Sequence, residues 1–305
     1  MSVSNRAKLS RFINVETVAA YHELTKPGIT MLVLASMVMG FVMGSVGHFN
    51  LTLLLHAIIG TYLIAGGTAA HNQFIERNYD KLMKRTKSRP LPSSKISPQN
   101  GFIFSITLIL VGLVYLISMV NIVAASVSAV TTIVYLAVYT PMKRISVVNV
   151  FIGSIPGALP PVGGWAAATG SILDPGMWIL FGIVYLWQVP HVMAIAWLCN
   201  DDYSNAGFQM LPLGDFQGKK TALMVNLCLL TLIPITYLFY ALDYANIIYL
   251  VGGLLSALYF IFYGLKFWLE RSKEHAKQLM FASFFYLPLV WIFIFIDLLA
   301  YTYLL

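Results

Sequence analysis

Asn72, Glu76 and Asp80 stand four residues apart in the run His71-Asn72-Gln73-Phe74-Ile75-Glu76-Arg77-Asn78-Tyr79-Asp80. On an α-helix, positions i, i+4 and i+8 share a face, so a continuous helix makes these side chains a column of oxygens. Such a column suits a hard cation. Mg²⁺ in particular takes a few carboxylates, waters and phosphate oxygens in preference to a closed protein cage. An isolated N-x-x-x-E is most often a solvated helix end, but this one runs directly into Met83-Lys84-Arg85-Thr86-Lys87-Ser88-Arg89-Pro90. Acidic groups for a metal beside cations for phosphate point to a bound diphosphate. Lys and Arg at a lipid surface also hold anionic head groups, so the individual cations stay unassigned.

A second group runs from Trp187-Gln188-Val189-Pro190-His191 through Ala196-Trp197 to Asp201-Asp202-Tyr203. His191 lies within an apolar stretch, and an ionisable residue there is a functional candidate because the membrane interior penalises it without a partner. A lone membrane histidine is about as often a packing residue. Asp202 follows eleven residues later, about three turns on, and shares the face of His191 if the helix continues. Asp201 would point about 80° away. Asp202 is therefore expected as the second metal carboxylate, with Asp201 as its support or alternate.

The elements that must position these groups are membrane helices. Hydrophobic residues make up 59% of the 305 and charged residues 10%, against roughly 25% charged in soluble domains. Nine spans are marked by apolar length and breaker residues: 27–46, 51–75, 100–118, 121–140, 147–168, 176–198, 221–241, 247–267 and 279–303. The third and fourth are separated only by Val120 and Asn121. The fifth carries Gly153, Pro156, Gly157, Pro160, Pro161, Gly163 and Gly164, which membrane helices tolerate when buried against neighbours. The expected fold is an all-α polytopic membrane protein of about nine helices in one bundle. Residues 1–26 would be a cytoplasmic tail and 27–305 a single transmembrane domain.

All 19 Lys and Arg residues fall in the tail (Arg6, Lys8, Arg11 and Lys26), in the loops 76–99, 141–146, 199–220 and 268–278, or at Lys266. These loops alternate along the chain, which is the positive-inside pattern: N-terminus cytoplasmic, C-terminus outside. The formal net charge of +7 is thereby explained without nucleic acid. Residues 1–26 show no apolar core followed by a small-residue cleavage site and read as a bacterial N-terminal tail. Cys199 and Cys228 lack metal-site spacing, and no disulfide framework is expected. Asp297, near the outer end of the last span, is expected to be structural.

The run N-x-x-x-E-x-x-x-D-x-x-M-x-R-T-x-x-R-P, Asn72 to Pro90, resembles the first signature of the UbiA-type intramembrane prenyltransferases in its protohaem IX farnesyltransferase (haem O synthase) form. The run Q-x-P-H…A-x-A-W…D-D-Y…A-G…M-L-P, Gln188 to Pro212, is similar to that group's second signature. Leu24-Thr25-Lys26-Pro27, Tyr139-Thr140-Pro141-Met142-Lys143-Arg144 and Asn149…Gly157-Ala158-Leu159-Pro160-Pro161…Gly164-Trp165 match as well. Two positions depart from the pattern. Glu76 stands where bacterial members more often have Asp, and Asn200 where a basic residue often precedes the acidic pair.

The resemblance implies nine helices around a central cleft that opens near the cytoplasmic face of a bacterial inner membrane. It implies farnesyl diphosphate and haem B as substrates and Mg²⁺ as cofactor, held through Asn72, Glu76, Asp80 and Asp202, with Asp201 the alternate. Lys26, Arg85, Arg89, Lys143 and Arg144 would bind the diphosphate. His191 would either contact the haem or order the second acidic motif. A downstream haem-modifying enzyme or an oxidase assembly protein would be a protein partner. The rival readings are a quinone-precursor polyprenyltransferase and a membrane transporter. The Q-x-P-H element speaks against the first, and the gathering of charge at one face against the second.

Overall fold

The structure, a computed structural model, describes residues 15–303, so Arg6, Lys8 and Arg11 of the expected tail lie outside it. Its helices are α1 (Val15–Leu24), α2 (Pro27–Gly44), α3 (Leu51–Asp80), α4 (Pro98–Met119), α5 (Ile122–Met142), α6 (Asn149–Ala158), α7 (Pro160–Thr169), α8 (Pro175–Leu198), α9 (Asn200–Asn205), α10 (Lys219–Ala241), α11 (Ile247–Leu269) and α12 (Lys273–Tyr303). No strand occurs among the described residues. The starts follow from local chemistry. Asn50, Ser97, Asn121 and Asp174 each accept a backbone N–H of the first turn, at Leu53, Asn100, Ala124 and Gly176. Prolines follow Ser97 and Asp174 at the first helical position, where a missing N–H costs nothing.

Among the described residues, eight helices are long and apolar enough to cross a membrane: α2, α3, α4, α5, α8, α10, α11 and α12. The expected fifth span differs, being two ten-residue helices, α6 and α7, that meet at Leu159. Pro160 cannot donate to the preceding turn, and its ring crowds the carbonyl four residues back, so the chain starts a new helix there. α6 begins beside Gln209, whose carbonyl accepts from Asn149 Nδ2. α7 ends beside Asn121, whose Nδ2 donates to the Ala166 and Ala167 carbonyls. α7 also lies against α2 at backbone distance: a Cβ on Gly40 would strike the Pro161 carbonyl, and one on Gly164 the Met37 carbonyl.

The expected tail is partly folded. α1 buries Ala20 and Leu24 in a cluster with Ala70 of α3 and with Leu91 and Ile96 of the loop after it. At one end of the bundle the basic loops converge. Lys84 and Arg85 meet Asp202, the Lys143 carbonyl accepts from Gln209 N, and Arg144 reaches Tyr79. The opposite end is tied by carboxylates. Asp174 accepts from the Tyr244 hydroxyl. Asp297, only 1% exposed, accepts from Asn246 N at 2.6 Å and Tyr249 N at 3.1 Å. It caps the start of α11 from the side, the structural role expected of it.

Candidate functional site

α3 runs 30 residues, about 45 Å at 1.5 Å per residue. It outlasts a hydrocarbon core of roughly 30 Å, so its last turns bring polar side chains to the membrane margin. The helix continues unbroken through Asp80, and Asn72, Glu76 and Asp80 form the expected column. It is no solvated helix end: their exposures are 1%, 5% and 0%.

Each column residue faces a cation. Lys26 Nζ donates to Asn72 Oδ1 at 2.9 Å, Lys143 Nζ to Glu76 Oε1 at 2.8 Å, and Arg89 Nη1 to Asp80 Oδ2 at 2.9 Å. Lys26 is aimed by unusual backbone: φ 47° and ψ 62° place it in the left-handed region, immediately before Pro27. Thr25 and Thr30 tie that corner down. The Thr25 hydroxyl donates to the His22 carbonyl and the Thr30 hydroxyl to the Thr25 carbonyl, each at 2.7 Å. Burial, reinforced by Arg89 and Lys143, pulls the Lys26 ammonium down to about 7, while Glu76 and Asp80 act against the shift. Burial also acts to lower Lys143, but Glu76, Tyr139 and Tyr135 more than offset it and hold Lys143 above the usual lysine range.

The lower end of α5 supplies Lys143. A π-helical turn over Val134–Tyr139 widens the helix, a device common at functional sites. Thr140 then bonds back to the Tyr135 carbonyl and accepts from Asn72 Nδ2 at 3.1 Å. Lys143 Nζ sits 4.6 Å from the Tyr139 ring centroid. Two other expected phosphate ligands, both exposed, rest on tyrosines that are largely covered. Arg85 lies over the Tyr203 ring at 4.8 Å and donates to its hydroxyl. Arg144 lies over Tyr79 at 4.4 Å and donates to its hydroxyl.

The second acidic motif departs from expectation. α8 ends at Leu198, Cys199 leaves helical backbone at φ −104° and ψ 22°, and a separate short helix carries Asp201 and Asp202. His191 and Asp202 therefore do not share a continuous helix face. Asp202 instead accepts the backbone N–H groups of Lys84 and Arg85 at 3.2 and 3.3 Å. Asp201 is exposed and lines an open depression of about 600 Å³ with Trp197, Arg271 and Lys273. His191 turns to α12, where its Nδ1 lies 2.6 Å from Ser283 Oγ.

No group of three or more His, Cys, Asp or Glu side chains converges as a ready metal shell among the described residues. The column nevertheless fits a magnesium ion that completes its shell with substrate. Its donors are all oxygens, and Asp80 Oδ1 is buried with no hydrogen-bond partner, leaving a carboxylate oxygen free for a hard cation.

Thr140, Tyr79, Tyr139, Tyr203 and Ser283 join the site without having been singled out as ligands. Tyr139 and Thr140 stand in the run that ends at Lys143 and Arg144, and Tyr203 closes the Asp-Asp-Tyr run, so proximity in sequence was a usable signal. Ser283 carried none, being 92 residues from His191.

Residues 33–295 match the UbiA prenyltransferase family. The chain is 41% identical over 286 residues to the protohaem IX farnesyltransferase of Solibacter usitatus, covering 91% of this chain and 98% of that one. It is 39% identical over 279 residues to the protein of the same name from Cytophaga hutchinsonii, covering 91% and 97%. Among solved structures, the fold is similar to a digeranylgeranylglyceryl phosphate synthase, with TM-score 0.77, 19% identity and coverage of 93% and 99%. It is also similar to a UbiA homologue of Archaeoglobus fulgidus bound to GPP and Mg²⁺, with TM-score 0.62, 14% identity and coverage of 90% and 99%.

Proposed function

We propose, because the chain belongs to the UbiA prenyltransferase family, that it acts as a protohaem IX farnesyltransferase. It would join the farnesyl group of farnesyl diphosphate to a vinyl group of haem B, with addition of water, giving haem O and diphosphate. The near full-length likeness to enzymes of that name supports the choice of acceptor. The observation that carries the chemistry is the column: two buried carboxylates and an amide, each faced by a cation, with one carboxylate oxygen left free.

Asn72, Glu76 and Asp80 would hold Mg²⁺, with Asp202 or its alternate Asp201 as the second acidic motif's contribution. Held there, an ion would supply Lewis-acid neutralisation of the charge growing on the leaving diphosphate. Arg89 and Lys143 would exchange carboxylate oxygens, and Lys26 the Asn72 amide oxygen, for phosphate oxygens, and Arg85 and Arg144 would swing in from their tyrosines. Arginine suits this because its fork can bind two oxygens at once.

As the bond between farnesyl C1 and oxygen breaks, an allylic cation forms. The haem vinyl group attacks C1 to make the new carbon–carbon bond. Water adds to the carbocation left on the former vinyl group and releases a proton. A central cleft among the apolar helices would hold the prenyl chain and delay capture of the first cation by water.

The 27–305 region would work as one prenyltransferase domain in a bacterial inner membrane, N-terminus cytoplasmic and C-terminus outside. The product would pass to a haem-modifying enzyme or an oxidase assembly protein. Purified protein incubated with farnesyl diphosphate, haem B and Mg²⁺ should yield a hydroxyethylfarnesyl haem by mass. With an aromatic acid offered alongside, its prenylation with the haem unchanged would assign the chain to quinone-precursor chemistry instead. Movement of substrate without diphosphate release would make it a transporter.

A further inference from the structure

Ser283 on α12 is fully buried and touches α8 twice. Its carbonyl accepts from Trp187 Nε1 at 2.7 Å, and its hydroxyl meets His191 Nδ1 at 2.6 Å. Pro288, with no N–H to give, leaves the neighbouring Phe284 carbonyl without its usual helix donor. Trp187 lies parallel to the imidazole, with centroids 5.3 Å apart and planes 13° apart, and Phe284 meets the ring edge-on at 5.2 Å. The ring is thus held on one face by Trp187, by the edge-on contact with Phe284 and at one nitrogen.

The protons at this junction can be counted. A serine hydroxyl has one hydrogen. Ser283 Oγ also lies 2.5 Å from the Met280 carbonyl, an oxygen that can only accept, so both contacts are satisfied when the hydroxyl donates there and accepts from His191. In that arrangement Nδ1 carries the N–H. No described ion pair involves His191, and an uncharged imidazole with a proton on Nδ1 has a lone pair on Nε2. Among the described residues nothing bonds Nε2, and it is absent from the buried polar atoms lacking a partner. It keeps open surface and a free electron pair. Asp202, the other partner considered for His191, is engaged by the Lys84 and Arg85 amides.

We propose that Ser283 is a positioning residue that locks His191 in the Nδ1–H form, leaving Nε2 to coordinate the iron of the haem substrate. The inference rests on the reading of haem B as acceptor. An iron-bound imidazole commonly donates its other N–H to a fixed acceptor, which orients the ring and raises its basicity. Ser283 would be that acceptor, and one axial bond would place the haem edge relative to the farnesyl site.

Haem bound to the full chain in nanodiscs tests this by resonance Raman of the ferrous state, where the iron–histidine stretch responds to the Nδ1–H bond. Wild type should show the stretch and H191A should lose it, with added imidazole restoring it. S283A should keep it at a shifted frequency, with haem affinity lowered about three- to tenfold, the loss of one hydrogen bond. S283T, which retains a hydroxyl, should resemble wild type, and S283C, with a weak thiol, should fall between. The stretch persisting in H191A, an unshifted stretch in S283A, or haem O formed by wild type with no stretch would each overturn the inference and leave the haem reading standing. Wild type that neither binds haem nor forms a haem product would overturn that reading and the inference with it.

Discussion

Asp202 accepts the backbone N–H groups of Lys84 and Arg85, two residues more than a hundred positions earlier in the chain. One carboxylate thus clips the cationic loop after α3 to the second acidic motif, and the two halves of the proposed diphosphate site are registered through main chain. The carboxylate takes up none of the side-chain donors at 84 and 85, and the Arg85 guanidinium rests on Tyr203.

That clip gives the first prediction. Asp202→Ala should release the loop, seen as faster amide hydrogen exchange over residues 83–88 in the absence of substrate. Asp202→Asn, which keeps one carbonyl acceptor, should loosen it less. Unchanged exchange in both variants would mean that the bonds to Lys84 and Arg85 do not hold the loop.

The column residues should separate stability from turnover. Asp80→Asn and Glu76→Gln should each lower turnover by about two or more orders of magnitude by removing a carboxylate from the leaving-group site. Glu76→Gln should cost more stability, because it strands Lys143, whose side chain is 12% exposed, whereas Arg89 opposite Asp80 is 26% exposed. Breaking a buried pair costs about 3–5 kcal/mol. Adding Lys143→Met to Glu76→Gln should restore part of the thermal stability in detergent and none of the activity.

Asp297 offers a contrast at the other end of the bundle. Asp297→Ala removes the acceptor for Asn246 N and Tyr249 N and should destabilise by about 1–3 kcal/mol, the cost of leaving buried donors unpaired. Activity below the lowered melting temperature should stay near wild type. A catalytic defect in a variant with normal melting would refute the purely structural role.

Topology has its own test. With Cys199 and Cys228 replaced by serine, single cysteines at Ser88 and Ser272 should be labelled only from the cytoplasmic side, and one at Ser171 only from outside. Labelling of Ser88 and Ser171 from the same side would remove the proposed orientation, and with it the α6–α7 pair as one crossing.

The sequence was most readable where one local rule acts alone. Apolar length found the helices, and the sharp turn at Val120 and Asn121 is real because Asn121 caps α5 through Ala124 N. Four-residue spacing found the column because α3 runs unbroken to Asp80. The failures occurred where tertiary contacts decide. A continuous helix from His191 to Asp202 was plausible by periodicity, yet the chain breaks at Cys199 as Asp202 turns to the amides of Lys84 and Arg85. The fifth span looked like one apolar segment, but Pro160 divides it. Which cation meets which acid, and that His191 meets Ser283, depends on packing between distant segments that no spacing encodes.

The pairing of Lys26, Lys143 and Arg89 with a column holding only two carboxylates has a consequence for order of addition. Arg89 and Lys143 balance the two carboxylates, and Lys26, pulled down to about 7, adds a surplus of positive charge as pH falls below that value, so free divalent metal gains little by entering there. A diphosphate that arrives already chelated brings negative charge to the lysines and arginine while delivering its metal to the oxygens they give up. Substrate and metal are then taken up as one near-neutral unit. Titration calorimetry should accordingly detect weak heat from Mg²⁺ alone and strong heat from Mg²⁺ with a non-hydrolysable prenyl diphosphate, with affinity falling as ionic strength rises.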